Sequence, residues 1–260
     1  MNEDPKFGSY LGFSKENLCQ MTEAEREQSN VALVRLFMEL NRVIKPSLIL
    51  EIGAYNAAFS IEAKKLLQNT RVVAFEASPY NFQHFKDHVN IRTSGIEYLH
   101  LAITEQTGVA EFQIQTKIDD EDLSPIRANN SLLARTEAGV LVKYQKVIVP
   151  TLSLNEYILQ NNLAGMSFTA WVDVEGALEG VLKGGSQVWK ECAAIFIEVE
   201  EHKYWETQWL YSDVVSYLTA SGFTPAARDF EYIDQYNVIF IRNENLLCPE
   251  IRAIINGHTL

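Results

Sequence analysis

Three apolar runs in this chain each end in an acid: Leu48-Ile-Leu-Glu51, Val72-Val-Ala-Phe-Glu76 and Phe168-Thr-Ala-Trp-Val-Asp173. Such runs read as buried strands, and a carboxylate at a buried strand end is costly unless something there uses it. Strands are predicted over 47–52, 71–76, 96–101, 168–173 and 193–199, and helices between and after them over 57–67, 79–89, 177–183 and 208–221. This alternation implies βαβ units and a doubly wound, mostly parallel sheet covered on both faces. Two final strands, 223–228 and 236–241, are joined by a short turn, so the sheet ends in an antiparallel strand. The 260 residues are enough for a single α/β domain spanning 1–260.

Two segments frame that core. A helix over 22–44 opens with Thr22 and Glu25 at capping-box spacing, presents Val31, Val34, Leu36, Phe37 and Leu40 on an apolar face, and stops before Pro46; it makes 1–46 an N-terminal helical segment. Farther on, strands over 109–115 and 143–149 flank the polar stretch 116–139, which holds Asp119-Asp-Glu-Asp122, Ser124-Pro125 and Asn129-Asn-Ser131. A loop this long in a compact domain is usually functional, and 115–146 reads as an inserted lid or substrate loop.

Composition removes several classes of function. The net charge is −12 and no Lys/Arg cluster exists, which disfavours nucleic acid and the anionic face of a membrane. No apolar run reaches the ~18 residues of a membrane span, and Met1-Asn-Glu-Asp-Pro-Lys-Phe7 lacks a signal-peptide core, so a soluble, cytoplasmic protein is expected. Cys19, Cys192 and Cys248 are widely spaced, with no zinc-binding arrangement.

In open α/β sheets, ligands bind outside the carboxyl ends of the strands, where the strand order reverses. The first strand runs into Glu51-Ile-Gly53-Ala-Tyr55-Asn-Ala57, and the second ends in Glu76, 25 residues after Glu51. An acid about 20 residues beyond a glycine turn commonly accepts from ribose hydroxyls, which points to a nucleoside-containing cofactor. A dinucleotide needs bare glycine backbone against its pyrophosphate, yet only Gly53 is present, with Tyr55, Ala57 and Ala58 beyond it. S-adenosylmethionine has no phosphate and tolerates side chains there. Each acid also has a plainer reading: Glu51 as a cap of a helix or turn, Glu76 as a partner of the helix start at Ser78-Pro79, and Asp173 and Glu175 as caps of the helix that starts at Gly176.

The chain resembles the FkbM family of S-adenosylmethionine-dependent methyltransferases from about Leu48 to Glu200. The blocks are Glu51-Ile-Gly53-Ala54; Val73-Ala-Phe-Glu76-Ala-Ser-Pro79; Leu101-Ala102-Ile with Gly108; Asn130-Ser131-Leu132; Val149-Pro-Thr151-Leu-Ser153-Leu; Val172-Asp173-Val-Glu175-Gly176-Ala with Val181-Leu-Lys-Gly184; and Ile197-Glu198-Val-Glu200. The resemblance implies a class I, Rossmann-like methyltransferase fold with seven strands, one of them antiparallel. It also implies O-methylation of a hydroxyl on a small molecule or sugar. The family's first block usually reads D-x-G-A-N-x-G; here Glu51, Tyr55 and Ala57 replace the Asp, the Asn and the last Gly. Two residues before Asp173, Trp171 stands where the family usually has Lys.

On this reading Glu76 and the adjoining Ala77 hold the ribose end of the cofactor. Gly53, Ala54 and Tyr55 bring backbone to the methionine end, Glu51 orients that loop, and Ala102 packs the adenine. Asp173, at the methyl end, is the expected base or orienter, with Glu175 as its companion. Glu198 could hold a substrate hydroxyl, and His202 could take the proton. No metal site is assigned, although Asp173, Glu175 and Glu198 could instead ligate a divalent cation. Tyr204-Trp205 and Trp209 could stack on a sugar ring or simply pack on the sheet. The competing readings are a catalytically inactive S-adenosylmethionine-binding protein of the same fold and, less favoured, an NAD-dependent oxidoreductase. The expected partner is a small-molecule or carbohydrate acceptor, with homo-oligomerisation open.

Overall fold

The computed structural model describes residues 21–136 and 140–258. Residues 1–20 of the N-terminal segment, including Cys19, and positions 137–139 of the insertion lie outside the described residues.

Helix α1 (Glu23–Ile44) starts as its capping box requires: the Thr22 hydroxyl accepts from the Glu25 amide and the Glu25 carboxylate accepts from the Thr22 amide. Its buried stripe is Leu33, Leu36, Phe37 and Leu40, whereas Val31 is 54% exposed, so the apolar face is rotated from the expected one. Then follow β1 (Leu48–Ile52), α2 (Ala58–Leu66), β2 (Arg71–Glu76), α3 (Pro79–Phe85), α4 (Val89–Ser94) and β3 (Glu97–His100). The helix expected over 79–89 is two helices, because the backbone turns extended at His88, letting Phe85 and Ile91 both pack beside Ala54, Ala57 and Ala74.

The insertion builds a small sheet of its own. Strands β4 (Ala102–Ile103), β5 (Gly108–Ile118), β6 (Glu121–Asp122) and β7 (Val142–Leu152) lie in the order β4-β7-β5-β6, with β5 and β7 antiparallel over ten residue pairs. Both long strands run past their expected ends, and Phe112, Ile114 and Val149 are buried with Ala102. After β7 come α5 (Leu154–Gln160), β8 (Phe168–Val172), α6 (Leu178–Gly184), β9 (Cys192–Glu200), α7 (Tyr211–Ala220), β10 (Phe223–Arg228), β11 (Gln235–Arg242) and α8 (Pro249–Gly257). Helices α5 and α8 were not anticipated. Helix α7 begins three residues later than expected, because the Gln208 side chain is used by the preceding loop, where it accepts from the Tyr204 and Trp205 amides.

The main sheet has seven strands in the order β10-β11-β9-β8-β1-β2-β3. The expected hairpin exists, but β11, which is antiparallel to both neighbours, is inserted between β9 and β10, and β10 forms the edge. The reason lies in the two sequences. Residues 236–241 of β11 are all buried, whereas β10 carries Pro225, which lacks the amide that an interior strand must donate.

Alternation along the strands sorts side chains onto two faces. Leu48, Leu50, Ile52, Phe168, Ala170, Val172, Ile195, Ile197 and Val199 meet Leu154, Tyr157, Leu178, Val181, Val214 and Leu218 from α5, α6 and α7. On the other face Ile49, Phe196, Ile239 and Ile241 meet the α1 stripe, Phe59 of α2 and Ile251 of α8. Trp171 belongs to this second face. Its ring stacks on Phe196 with centroids 3.7 Å apart and on Phe59 at 4.7 Å, so the position where the family usually has Lys is filled here by core packing. The strand order reverses between β1 and β8, which places the carboxyl ends of both at one crevice.

Candidate active site

The turn after β1 is held by its neighbours. The Gly53 and Ala54 amides donate to the Phe75 carbonyl at 3.0 and 2.9 Å, and the Asp173 amide donates to the Ile52 carbonyl at 2.9 Å. Gly53 has φ +86°, and a Cβ there would lie 1.7 Å from the Asp173 carbonyl oxygen, so glycine is required both for the turn and for the approach of β8. Tyr55 and Ala57 also take left-handed backbone, at φ +45° and +56°, a conformation that is strained for side chains other than glycine.

Glu76 closes this turn. Its carboxylate accepts from the Tyr55 amide at 2.6 Å, from the Ser78 amide at 2.7 Å and from the Asn81 side-chain amide at 3.3 Å. Asn81 then ties the insertion down: its side chain accepts from the Arg127 amide at 3.1 Å and donates to the Arg127 carbonyl at 3.0 Å. Glu51 is buried beneath the turn and accepts from the Ser60 amide of α2 at 3.0 Å, which is the cap-like role; neither it nor Ala54 lines the cleft. Burial raises both acids, Glu51 to about 8 and Glu76 to about 7, despite the amides that favour their ionised forms.

The cleft above the turn has a cavity volume of about 80 Å³ and is open to solvent. Gly53, Tyr55, Glu76, Ala77, Ala102, Asp173 and Glu175 line it, and Phe75, Leu101, Ile103, Phe112 and Leu132 supply apolar walls. Its lining holds three acids and no Lys or Arg. That chemistry repels a pyrophosphate and suits a nucleoside attached to a positively charged sulfonium, so the residues present fit S-adenosylmethionine.

At the other end, a second set of acids gathers. Glu175 has φ +48° and is followed by Gly176 at φ +79°. A Cβ on Gly176 would lie 2.4 Å from Cδ1 of Trp205, so this glycine leaves room for the indole. Trp205 is 2% exposed, lies under Arg135 and is bridged to it through the backbone; it is a wedge between the insertion and the β8–α6 turn rather than a surface for a sugar. Trp209 packs against the core beside Tyr217. The insertion also reaches Glu175: the Asn129 side chain donates to its carboxylate at 3.1 Å and the Ser131 hydroxyl to its carbonyl at 2.6 Å.

Asp173, Glu175 and Glu198 each offer a carboxylate oxygen within 4.8 Å of the others. Glu198 accepts from the Gln235 side chain of β11 at 2.8 Å. Burial raises all three: Asp173 to about 6, with added repulsion from Glu231; Glu175 to about 8, with repulsion from Asp173 and Glu200 partly relieved by Arg135 and Arg127; and Glu198 well above the usual carboxylate range, with repulsion from Asp173, Glu175 and Glu200. Glu200, two residues farther along β9 and therefore on the same face as Glu198, is 1% exposed and raised to about 7, mainly by burial. His202 does not join this group. Its side chain is 61% exposed and pairs with Asp234 at 3.5 Å on the β9–α7 loop, outside the cleft lining, because the chain has left the sheet by then.

Asn81, Asn129, Gln235 and Glu200 were not anticipated. The Ile-Glu-Val-Glu alternation at 197–200 carried the signal for Glu200, since it puts both acids on one face. The other three act across long sequence separations that no local pattern reveals.

This combination of a seven-stranded mixed sheet, a glycine turn answered by an acid at the end of β2, and an acid at the end of β8 defines a class I methyltransferase. Residues 51–232 match the methyltransferase FkbM domain, which is most of the chain, and the protein belongs to that family. Its cofactor is S-adenosylmethionine. No curated protein sequence matches the chain. Among solved structures it is similar to the precorrin-6y C5,15-methyltransferase of Geobacter metallireducens (14% identity, TM-score 0.39, covering 75% of this chain and 78% of that one). It is also similar to the 1,6-didemethyltoxoflavin-N1-methyltransferase of Burkholderia thailandensis (12%, 0.41, 84% and 79%) and to human N-acetylserotonin methyltransferase (12%, 0.40, 91% and 62%). Likenesses this distant carry nothing about the acceptor. No helix among the described residues is long and apolar enough to cross a membrane.

Proposed function

We propose that this methyltransferase transfers the methyl group to a hydroxyl oxygen of a small molecule or sugar. The observation that carries the reading is Asp173: it stands in the wall of the cofactor cleft and is grouped within 4.8 Å with two further acids. When bound, S-adenosylmethionine supplies an electrophilic methyl on a sulfonium. Glu76 is suited to accept from the ribose hydroxyls, with Ala77 beside it. Leu101, Ala102, Ile103 and Phe112 form an apolar slot for the adenine. The Gly53–Tyr55 backbone faces the methionine end, and Glu51 holds that turn from below.

A hydroxyl is a weak nucleophile until its proton is drawn away, so an oxygen acceptor makes a base worth having. Asp173, raised to about 6, ionises just below neutrality, where a carboxylate base is both available and basic enough to help. It accepts the hydroxyl proton as the oxygen attacks, while Glu175 and Glu198 receive other hydroxyls of the acceptor and fix its orientation. Much of the acceleration then comes from holding oxygen, carbon and sulfur in line. The segment that carries Asn129 and Ser131 acts as the cover of this end. His202 is given no role.

Asp173→Asn tests the assignment. It should lower methyl transfer about 10²–10⁴-fold while leaving the S-adenosylmethionine dissociation constant, measured by calorimetry, nearly unchanged. Turnover equal to wild type would remove Asp173 from the mechanism, and absence of cofactor binding by the wild-type protein would remove the reading itself.

A further inference from the structure

A second cavity, of about 210 Å³, adjoins the cofactor cleft and shares Glu175 with it. One short run of chain walls both: Ala128, Asn130 and Leu132 line the cleft, and Asn129 lines the second cavity. Arg135 of the insertion, Tyr204 and Trp205 of the β9–α7 loop and Gln235 at the start of β11 complete it. Two of these residues lead to the methyl end. Glu175 offers a carboxylate oxygen within 4.8 Å of one on Asp173, and the Gln235 side chain donates to Glu198, a member of the same group. A molecule seated in this cavity therefore lies next to the acids at the methyl end.

The walls are bonded to one another. The Thr136 amide donates to the Tyr204 carbonyl at 2.9 Å and the Glu206 amide to the Ala134 carbonyl at 2.8 Å, so the insertion and the β9–α7 loop hold each other in place. Within that loop the Gln208 side chain fixes the Tyr204 and Trp205 amides at 2.8 and 3.2 Å. The Arg135 amide donates to the Tyr144 hydroxyl of β7 at 2.8 Å, and its guanidinium lies 5.4 Å from the centre of the Trp205 ring. Asn129 and Gln235 are held in turn by Glu175 and Glu198, to which they donate. Bonds of this kind between separate segments make a preformed pocket rather than a gap between loops.

The lining side chains bring two amides, a guanidinium and a carboxyl group, and so offer both donors and acceptors. Glu175, raised to about 8 by burial, is itself both at neutral pH. A flat apolar acceptor such as a phenol leaves those groups unanswered, whereas hydroxyls, which donate and accept, answer all of them. We infer that this cavity is the acceptor site, that it takes a hydroxyl-rich ring of the carbohydrate class, and that Asn129 and Gln235 set specificity by binding hydroxyls other than the one methylated. The cavity has room for one sugar ring. The inference rests on the transfer reading for what happens to the ring, but not for its binding.

Methyl α-glucopyranoside and its manno and galacto epimers are the probes, with phenol and catechol as the opposing class. Binding to the full chain saturated with S-adenosylhomocysteine is read by saturation-transfer nuclear magnetic resonance. At least one glycoside should bind at millimolar concentration or below, and neither phenol nor catechol should. Gln235→Leu and, on a separate segment, Asn129→Leu should each weaken glycoside binding at least about tenfold. Both should keep S-adenosylhomocysteine affinity within a few-fold by calorimetry, which also shows that each variant is folded. Leu159→Ala, at an exposed position of α5, should bind as wild type does. The inference is overturned if no glycoside binds, if the phenols bind in preference, or if Gln235→Leu and Asn129→Leu both leave glycoside binding unchanged. Methyl transfer from labelled S-adenosylmethionine on the same samples separates the two proposals. A glycoside that binds and is never methylated overturns only the transfer reading, and methylation of a phenol without glycoside binding overturns only the assignment of the cavity.

Discussion

The two ends of the cleft use carboxylates in opposite ways. At the β1–β2 end, Glu51 and Glu76 face amides: Ser60 donates to one, and Tyr55, Ser78 and Asn81 to the other. At the β8–β9 end, Asp173, Glu175 and Glu198 gather their oxygens within 4.8 Å of one another, and the side-chain amides of Asn129 and Gln235 donate to two of them. Burial costs every one of these groups. In the first set backbone amides favour the ionised forms, and the acids serve to shape a turn. In the second, Glu175 and Glu198 are also pushed up by acids of the same group. The difference teaches that an acid at a strand end is not by itself a sign of catalysis; what matters is whether its partners are already in place.

The comparison can be broken most severely at Gly53, the hinge between the two ends. A Cβ there would meet the Asp173 carbonyl at 1.7 Å, in backbone with φ +86°. Gly53→Ala should cost about 3–5 kcal/mol in urea unfolding and abolish cofactor binding together with transfer. A variant that stays stable and binds would show that β8 can move aside. Next is Glu76→Ala, which removes charge-assisted acceptors from the turn and from the ribose site. Cofactor affinity by calorimetry should fall about 100-fold or more, whereas Glu175→Gln should leave it within a few-fold. Equal losses in both would erase the distinction between the two ends. Gly176→Ala should be milder, at about 2–3 kcal/mol, because the clash at 2.4 Å is with the Trp205 indole rather than with backbone, and Trp205→Leu in the same chain should recover part of it.

The smallest effect is on pH. Glu51, Glu76, Asp173, Glu175 and Glu200 are all raised, to between about 6 and about 8, chiefly by burial. A carboxyl raised on folding binds its proton more tightly in the folded chain, so folding is favoured while the group stays protonated. That advantage is lost as pH climbs through the folded-state value. Stability of the ligand-free protein should therefore decline between about pH 5 and 8.5, by on the order of 2 kcal/mol or more, as followed by thermal midpoint. A stability that rises across this interval would mean that the acids are already compensated.

Much of this architecture is legible in the sequence. The strands ending in Glu51, Glu76 and Asp173 declare themselves by apolar runs between helical stretches, and the 71–76 and 223–228 strands fall where the pattern puts them. The capping box at Thr22 also reads directly. The position of β11 inside the edge strand did not, since a hairpin's order in a sheet is set by which strand tolerates two neighbours, and only Pro225 hints at it. The turn at His88 was hidden because 79–94 has helical character throughout, and the break answers to packing against Ala54 and Ala74. For the site, the acids could be named singly from their strands. Which side-chain amides they receive depends on Asn81, Asn129 and Gln235. Trp171 shows the same limit: its place in the sequence suggests the site, and only the alternation of β8 turns it toward Phe196 and the core.

The contact at Gly53 also bears on how such a protein can diversify. Because the loop that meets the cofactor and the strand that carries Asp173 are in backbone contact at a position with no room for a side chain, neither can drift without the other. New acceptors must then be won elsewhere: around Asn129 and Ser131, which meet Glu175, and at the β9–β11 end, where Gln235 meets Glu198. One fixed joint leaves the rest of the rim free to change, so libraries aimed at altered specificity should spare residues 53–55 and sample Asn129, Ser131 and Gln235.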